Sequence, residues 1–464
     1  MKLLYYTFFF VIFSSRDFFV ICQNVPRPRR QQTSTLVGTR LYFFGGGISI
    51  SITNEVWYLD LSSSFNISTP PWHSDVAMPV EYNLGSSCLS PIDISTVFLI
   101  GGRTWIVNTV NFSYTSSVYM FNSKTSQWTI PTINNFNSSF QARNEIQAVI
   151  DNNGKIFVFG GINHGNDDNI TTTAYNDMNI FDSNTIIWST QTQSQSVLVN
   201  VAYTATLLPS GLIVYIGGLG TTTTNLINIS QVRIFDTKSY TWSTKSASGS
   251  IIASRCYHSA VLTQDGNIII YGGSTYDSSG NIAYVFSDIA VLNTNSWAWS
   301  VPSVSGTNAP PLTQHSAALY KNYMILAFGA TTATNLYTNN IYILDIQNYT
   351  WVTTFNIPTT TNPAKQTQSS GNSSADQANN NLYIGIGIGI GVIILALVLF
   401  VIGFFIYKNR HKKEIIATPG TSKDDHIRET HISTVYTPGI SLPATYELTP
   451  MYGAPVPGNN YHNS

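Results

Sequence analysis

Charge is what this chain has least of. Asp, Glu, Lys and Arg supply 10% of its 464 residues, and 22 basic against 23 acidic side chains leave a formal net charge of −1. That balance excludes the concentrated basic face that nucleic acid requires. It also excludes a charge-rich disordered chain, because 43% of the residues are hydrophobic and 13% aromatic. Cysteine is nearly absent, with only Cys88 and Cys256 beyond Cys22. Four histidines, His73, His164, His258 and His315, stand before residue 380, and no helical periodicity does. No Ser/His/Asp arrangement, paired-carboxylate motif or phosphate-cradling loop stands out. The Gly-rich points end apolar runs and open no helix, so they are not nucleotide fingerprints.

What the chain does have is a repeat. Apolar runs end in glycine six times: Leu41–Phe44, Val97–Ile100, Ile156–Phe159, Leu212–Ile216, Ile268–Tyr271 and Met324–Phe328. The second glycine falls at Gly46, Gly102, Gly161, Gly218 and Gly273, with Ala330 as its sixth counterpart, a spacing of 55 to 59 residues. Tryptophans follow at Trp72, Trp128, Trp188, Trp242, Trp299 and Trp351. An Asp or Asn stands six residues before five of them: Asn122, Asp182, Asp236, Asn293 and Asp345; the first repeat keeps Asp60 but inserts residues before Trp72. A period in this range is one supersecondary unit repeated as an array.

The fifth repeat shows the unit most clearly. Tyr257–Leu262 reads as a strand, Gln264-Asp265-Gly266-Asn267 as a tight turn, and Ile268–Tyr271 as a strand buried on both faces. Gly272-Gly273 ends it, Asp288–Leu292 is the third strand, Asn293 turns the chain and Trp299 lies on the outer fourth strand. Four short antiparallel strands in each of six repeats describe an all-β fold, a six-bladed β-propeller over residues 32–356.

The diglycine after an apolar strand, the Asp/Asn-to-Trp spacing and the segment Arg255-Cys256-Tyr257-His258-Ser259 together resemble the kelch family. That resemblance implies a ring closed by mixing terminal strands in one blade, and leaves open which terminus supplies the closing strand. It implies a structural His-Ser role for His258 and His315. Some secreted relatives resemble galactose oxidase, whose copper site needs two histidines, two tyrosines, a crosslinked cysteine and a further C-terminal domain. Here a stalk follows Trp351 instead. Cys88 and Cys256 fall in repeats two and five, opposite each other in a six-bladed ring and too far apart for the ~7 Å Cα separation of a disulfide, so two buried free thiols are expected. The polar run Asn163–Asn169 offers oxygen ligands but lacks the spacing of a calcium loop, and reads as solvated.

The flanks point to a membrane. Residues 1–22 read as a signal peptide with the apolar core Leu3–Phe13 and cleavage before Gln23. Residues 357–382 are a Ser/Thr/Asn-rich stalk, and 383–407 a transmembrane helix with two G-x-x-x-G pairs. Lys408, Arg410, Lys412 and Lys413 follow it and put residues 408–464, a disordered tail, in the cytosol. Glycosylation sequons at Asn66, Asn111, Asn137, Asn169, Asn228, Asn348 and Asn372 all precede the span. The expectation is a single-pass type I glycoprotein at the plasma membrane or in the secretory pathway. It carries no catalytic residue, cofactor or metal, and binds an extracellular or luminal protein or glycan. Candidate surfaces are the loops around 103–117, 162–176, 219–230 and 274–287 and the inter-blade connections. The tail, with tyrosines and three Thr-Pro pairs, offers a cytosolic adaptor site. A galactose oxidase-like copper oxidase and a sensor signalling through the tail are the alternatives.

Overall fold

The computed structural model describes residues 24–113, 116–133, 143–164, 172–191, 198–220, 225–331 and 336–357. The signal peptide, most of the stalk, the transmembrane segment, the tail and Asn137, Asn169 and Asn372 lie outside the described residues. Among the described residues no helix is long and apolar enough to cross a membrane.

Six four-stranded antiparallel units follow one another along the chain. In blade 1 they are Thr33–Val37, Arg40–Phe44, Val56–Asp60 and Trp72–Asp75, and in blade 6 Ser316–Tyr320, Tyr323–Ala327, Ile341–Asp345 and Thr350–Val352. The first strands of successive blades are neighbours around a closed circle, the sixth meeting the first. The second strands, such as Asn267–Tyr271, are β-rich apolar runs buried along nearly their whole length. No sheet can cover both of its faces alone, so each packs on its neighbours, and six apolar seams result. A large apolar side chain buried in such a seam contributes on the order of 2–3 kcal/mol.

The repeat markers have distinct jobs. Every marker tryptophan sits on a fourth strand, directly opposite a Leu or Phe of the third: Trp72 faces Leu59, Trp188 faces Phe181 and Trp299 faces Leu292. Trp299 reaches the strands of blade 4, and Trp351 those of blade 5. The Asp or Asn six residues earlier caps the turn between those strands. Its Oδ1 accepts the backbone N–H two residues on, as at Asp182 with Asn184 (2.9 Å) and Asn293 with Asn295 (3.0 Å). The turn ends on a residue with positive φ, as at Ile186 (59°) and Trp297 (54°), which fixes the spacing.

Two expectations are corrected. The tight turn expected at Gln264–Asn267 ends a residue sooner, because Asn267 opens the second strand: Thr263 accepts from Gly266 and donates to Asn267, and only Gly266 of these adopts positive φ. In the sixth repeat the counterpart of the second glycine is Gly329 (φ 100°), not Ala330, and the first-glycine place is held by Phe328 (φ 63°). The second strand there stops at Ala327, one residue before the apolar run does.

Ring closure also differs from the expected mixing of strands. Blades 1 and 6 each take all four antiparallel strands from their own repeat. The seam is sewn instead by the segment before blade 1, where Gly329 donates to the Arg29 carbonyl (2.9 Å) and Gln31 to the Gln314 carbonyl (3.0 Å). Thr354–Phe355 adds a two-residue pair with Phe65–Asn66. Phe328 fills this seam, its ring 5.0 Å from that of Phe43 and 5.5 Å from that of Trp72.

Candidate functional site: the loop-face bowl

The propeller axis is narrowed by a ring of backbone. Gln31, Leu84, Glu145, Ala202, Tyr257 and Gln314 precede the first strands of the six blades, and all have φ between 53° and 61°. A left-handed non-glycine residue costs about 1–2 kcal/mol, and the hydrogen bonds show what holds it. Each N–H donates to the carbonyl of its counterpart in the preceding blade, at 2.8 to 3.1 Å, and Gln31 closes the circle onto Gln314. A second circle surrounds the first. The second glycine of each blade donates to the residue two before this ring in the next blade, as Gly46 does to Tyr82 (2.7 Å) and Gly218 to Arg255 (2.9 Å).

These contacts explain the diglycine. A Cβ on Gly45 would lie 2.2 Å from the Tyr82 carbonyl oxygen, and one on Gly272 would lie 2.3 Å from that of Leu312. In alternate blades the outer circle is braced by a buried arginine. Arg29, Arg143 and Arg255 each hold a first-glycine carbonyl and pair with Glu55, Asp177 and Asp288, which stand at or before the start of the third strand. Burial alone would raise the Asp177 carboxyl, but the hydrogen bond and charge of Arg143 outweigh it and hold the pKa below the usual range. Both ends of the loop joining strands two and three are thereby fixed to one guanidinium.

On the channel side of the ring, His258 Nε2 lies 3.1 Å from Thr204 Oγ1 and His315 Nε2 lies 2.8 Å from Ser259 Oγ. Gln32 makes the equivalent bond across the closing seam, its Nε2 donating to Ser316 Oγ at 2.8 Å. The two histidines therefore stitch each blade to the one before it. Burial pushes both pKa values down to about 3, with the Arg255 charge adding to the effect at His258. They line an axial cavity of about 190 Å³. Among the described residues no three His, Cys, Asp or Glu side chains cluster to hold a metal. Cys88 and Cys256 are both unpaired and buried, and burial pushes the Cys88 thiol up to about 12. Cys256 stands three residues before the first strand of its blade, which begins at Ser259 and not at Tyr257.

Above the ring lies the larger space, a bowl of about 650 Å³. Its floor carries the ring side chains Gln31, Leu84, Glu145, Tyr257 and Gln314, and its walls are loops joining second to third strands. Three candidate surfaces do meet here: Arg103, Trp105 and Val110 from blade 2, Leu219 from blade 4, and Tyr276 and Ile282 from blade 5. Around 162–176 only the ends of the loop are described, and they form a short hairpin, Ile162–His164 with Thr172–Ala174. Missed from the sequence were the loops of blades 1 and 6 and the segment before blade 1, which supply Ile50, Tyr337 and Arg30, whereas Glu145 comes from one of the expected inter-blade connections. Only ring closure brings positions 30 and 337 together, where the Arg30 guanidinium lies 4.8 Å from the centre of the Tyr337 ring. On the rim, Ile50 is 93% and Val110 89% exposed. Of the sequons, Asn66, Asn111, Asn228 and Asn348 are described and all four are exposed.

A six-bladed ring of antiparallel sheets, with a walled bowl over a closed axis, defines a β-propeller. The chain matches the KLHDC2/KLHL20/DRC7 kelch-repeats domain over residues 91–276 and again over 202–393. It belongs to the kelch-repeat family. It is also similar to the acyl-CoA-binding domain-containing protein 4 of Arabidopsis thaliana, 23% identical over 249 residues, which are 52% of this chain and 33% of that protein. The chain thus spans about a third of the length of that relative. Among solved structures, that of YjhT covers 70% of this chain and 97% of its own, with a TM-score of 0.52 at 16% identity, and shows the fold alone.

Proposed function

We propose that the propeller is a non-catalytic, protein-binding ectodomain, held at a membrane by residues 383–407 with the tail in the cytosol. Kelch propellers are typically interaction domains, and the coarser reading rests on membership of that family. The observation that carries the finer one is the rim of the bowl. Two large apolar side chains, Ile50 and Val110, stand almost wholly in solvent above walls bearing Trp105, Tyr276 and Tyr337. Exposed apolar groups around an aromatic-lined concavity mark a surface that a protein covers. A glycan would call for polar groups at those positions.

The test is site-specific photo-crosslinking on the displayed full-length chain. Crosslinkers at positions 50 and 110 are expected to give the same protein adduct. One at Ile92, exposed on a turn between first and second strands and so at the opposite end of the propeller, is expected to give none. Equal adducts at all three positions, or no adduct at the rim, would overturn the reading. The membrane topology has its own check: glycosidase treatment of the chain made in a secretory cell should lower its mass, with Asn66, Asn111, Asn228 and Asn348 as exposed acceptors. Unchanged mobility would count against an ectodomain.

A further inference from the structure

We propose that the face of the propeller opposite the bowl is turned to the lipid bilayer and touches it through Ile92 and Ile94, so that the bowl opens away from the membrane. This rests on the reading of the chain as membrane-anchored and adds which face the anchored propeller presents to a partner.

The chain leaves the propeller on that opposite face. Second strands end at the bowl, so third strands run away from it and the connections after them lie on the far side. In blade 1 that connection carries Ser64, Phe65 and Asn66, between Asp60 and Trp72. Thr354–Phe355 pairs with Phe65–Asn66, and Ile357, the last described residue, donates its N–H to Ser64 Oγ at 3.0 Å. The Phe355 ring lies 5.2 Å from that of Tyr323 and 6.0 Å from that of Tyr320. These two tyrosines flank the turn between the first and second strands of blade 6, which is on the same side. The stalk leading to residues 383–407 therefore starts from the face opposite the bowl.

The next blade carries an apolar tip on the same face. Residues 90–95, joining the first and second strands of blade 2, form the longest such connection of the six blades. Within it Ile92 is 62% and Ile94 66% exposed. The connection is held from inside. The Asp93 carboxylate accepts from the N–H groups of Ser95 (3.1 Å) and Thr96 (3.0 Å) and from the Thr96 hydroxyl. The Ser95 carbonyl accepts from the N–H and the Oγ of Ser123, both at 2.9 Å. Ile94 is fixed at φ 48°, a region that a β-branched residue seldom enters. The backbone is thus set while both isoleucine side chains stand in water. Lys124 follows Ser123 in the turn beside them and is exposed.

A bilayer suits this tip better than a protein does. Two aliphatic side chains on a convex turn offer no concavity and no aromatic anchor of the kind that dominates protein interfaces. They match a membrane interface, where apolar tips enter the acyl boundary and a neighbouring lysine keeps its ammonium among the headgroups. Alone, two isoleucines would hold a free propeller to lipid only weakly. In an anchored chain the contact is intramolecular and needs no further loss of translational freedom. The sequons Asn66 and Asn348 lie in connections of the same face, in blades 1 and 6. Glycans there would keep those blades off the bilayer and leave blade 2 as the point of contact.

Fluorescence quenching tests this on the full-length chain reconstituted in phosphatidylcholine vesicles that carry nitroxide headgroups. Fluorophores are placed singly at positions 124 and 110 through introduced cysteines; Cys88 and Cys256 are buried and stay unlabelled. The label at 124 is expected to be quenched several-fold more than the label at 110. Ile92→Ser together with Ile94→Ser should cut the quenching at 124 several-fold, with the thermal midpoint unchanged because both side chains are exposed. A photo-crosslinker at position 92 should give a lipid adduct. Equal quenching at the two positions, unchanged quenching in the double variant, or a protein adduct at position 92 would each overturn the inference. Alkaline extraction separates it from the anchor: a chain released from membranes sinks both, whereas a retained chain unquenched at 124 sinks this inference alone. Quenching at 124 without a rim adduct supports the orientation and sinks the protein-docking reading of the bowl.

Discussion

His258 and His315 carry the clearest consequence at the scale of single residues. Each is buried and neutral, with a folded pKa near 3 against an ordinary value of 6.5. The unfolded chain therefore takes up protons below pH 6.5 while the folded chain does not, and stability falls between about pH 6.5 and pH 3. Each histidine contributes a slope approaching 1.4 kcal/mol per pH unit within that window. The carboxylates act lower. Asp93 is held down to about 2, because hydrogen bonds from Thr96, Ser95 and Ser90 outweigh its partial burial, and Glu55 and Asp177 are also lowered. What these acids contribute is intact above their unfolded values and is lost only below about pH 4. Urea unfolding from pH 7.5 to pH 4.5 should show the histidine slope, and His315→Gln should roughly halve it. A flat profile would mean that the histidines are solvated.

Among the elements, the end of each second strand is where chemistry and geometry meet most tightly. The first glycine combines a left-handed backbone with a next-blade carbonyl sitting where its Cβ would be, as at Gly217, 2.5 Å from the Arg255 oxygen. Gly217→Ala must push blades 4 and 5 apart at the hydrogen bond from Gly218 to Arg255, and should cost about 2 kcal/mol or more. The sixth blade reverses the rule. There Phe328 occupies the position and its ring packs between Phe43 and Trp72 with the Arg29 guanidinium 5.3 Å above it. Phe328→Gly should therefore also destabilise, by about 3–5 kcal/mol, through the cavity it leaves. Denaturant midpoints of the two variants check both directions. Tolerance of both would show that the seams are looser than their contacts suggest.

For the whole molecule, stability depends on a seam made by residues far apart in sequence. The segment from Pro26 to Gln32 brings the Arg29 carbonyl to Gly329, the Pro26 carbonyl to Asn339 and Gln32 to Ser316. Arg29 also carries the brace to Glu55, which in turn holds Arg27 and the Trp57 indole. A chain beginning at Thr33 keeps all twenty-four blade strands but loses both backbone circles at one junction. It should melt well below the chain beginning at Asn24, and limited proteolysis should cut first within blades 1 and 6. Equal melting temperatures would show that the Thr354–Phe355 pairing with blade 1 closes the ring unaided.

Much of this was legible in the sequence, and for a local reason. Strand runs, Asx-capped turns and the paired tryptophans each depend on contacts within one repeat of about 57 residues, so the residue pattern alone gave the six blades and the free, buried Cys88 and Cys256. The reading erred where identity and geometry part company: Ala330 looked like the second glycine, but strand length gives that place to Gly329. What the sequence could not show is whatever depends on closing the circle. The left-handed ring is built from Gln31, Leu84, Glu145, Ala202, Tyr257 and Gln314, six positions held by five different residue types. Their shared conformation is imposed by hydrogen bonds to the neighbouring blade, not by any preference of their own side chains. The bowl follows from the same cause, since Arg30 and Tyr337 meet only once blade 6 has docked on blade 1. The repeat determined that the chain folds as a propeller; the tertiary contacts decided which side chains face the space at its centre.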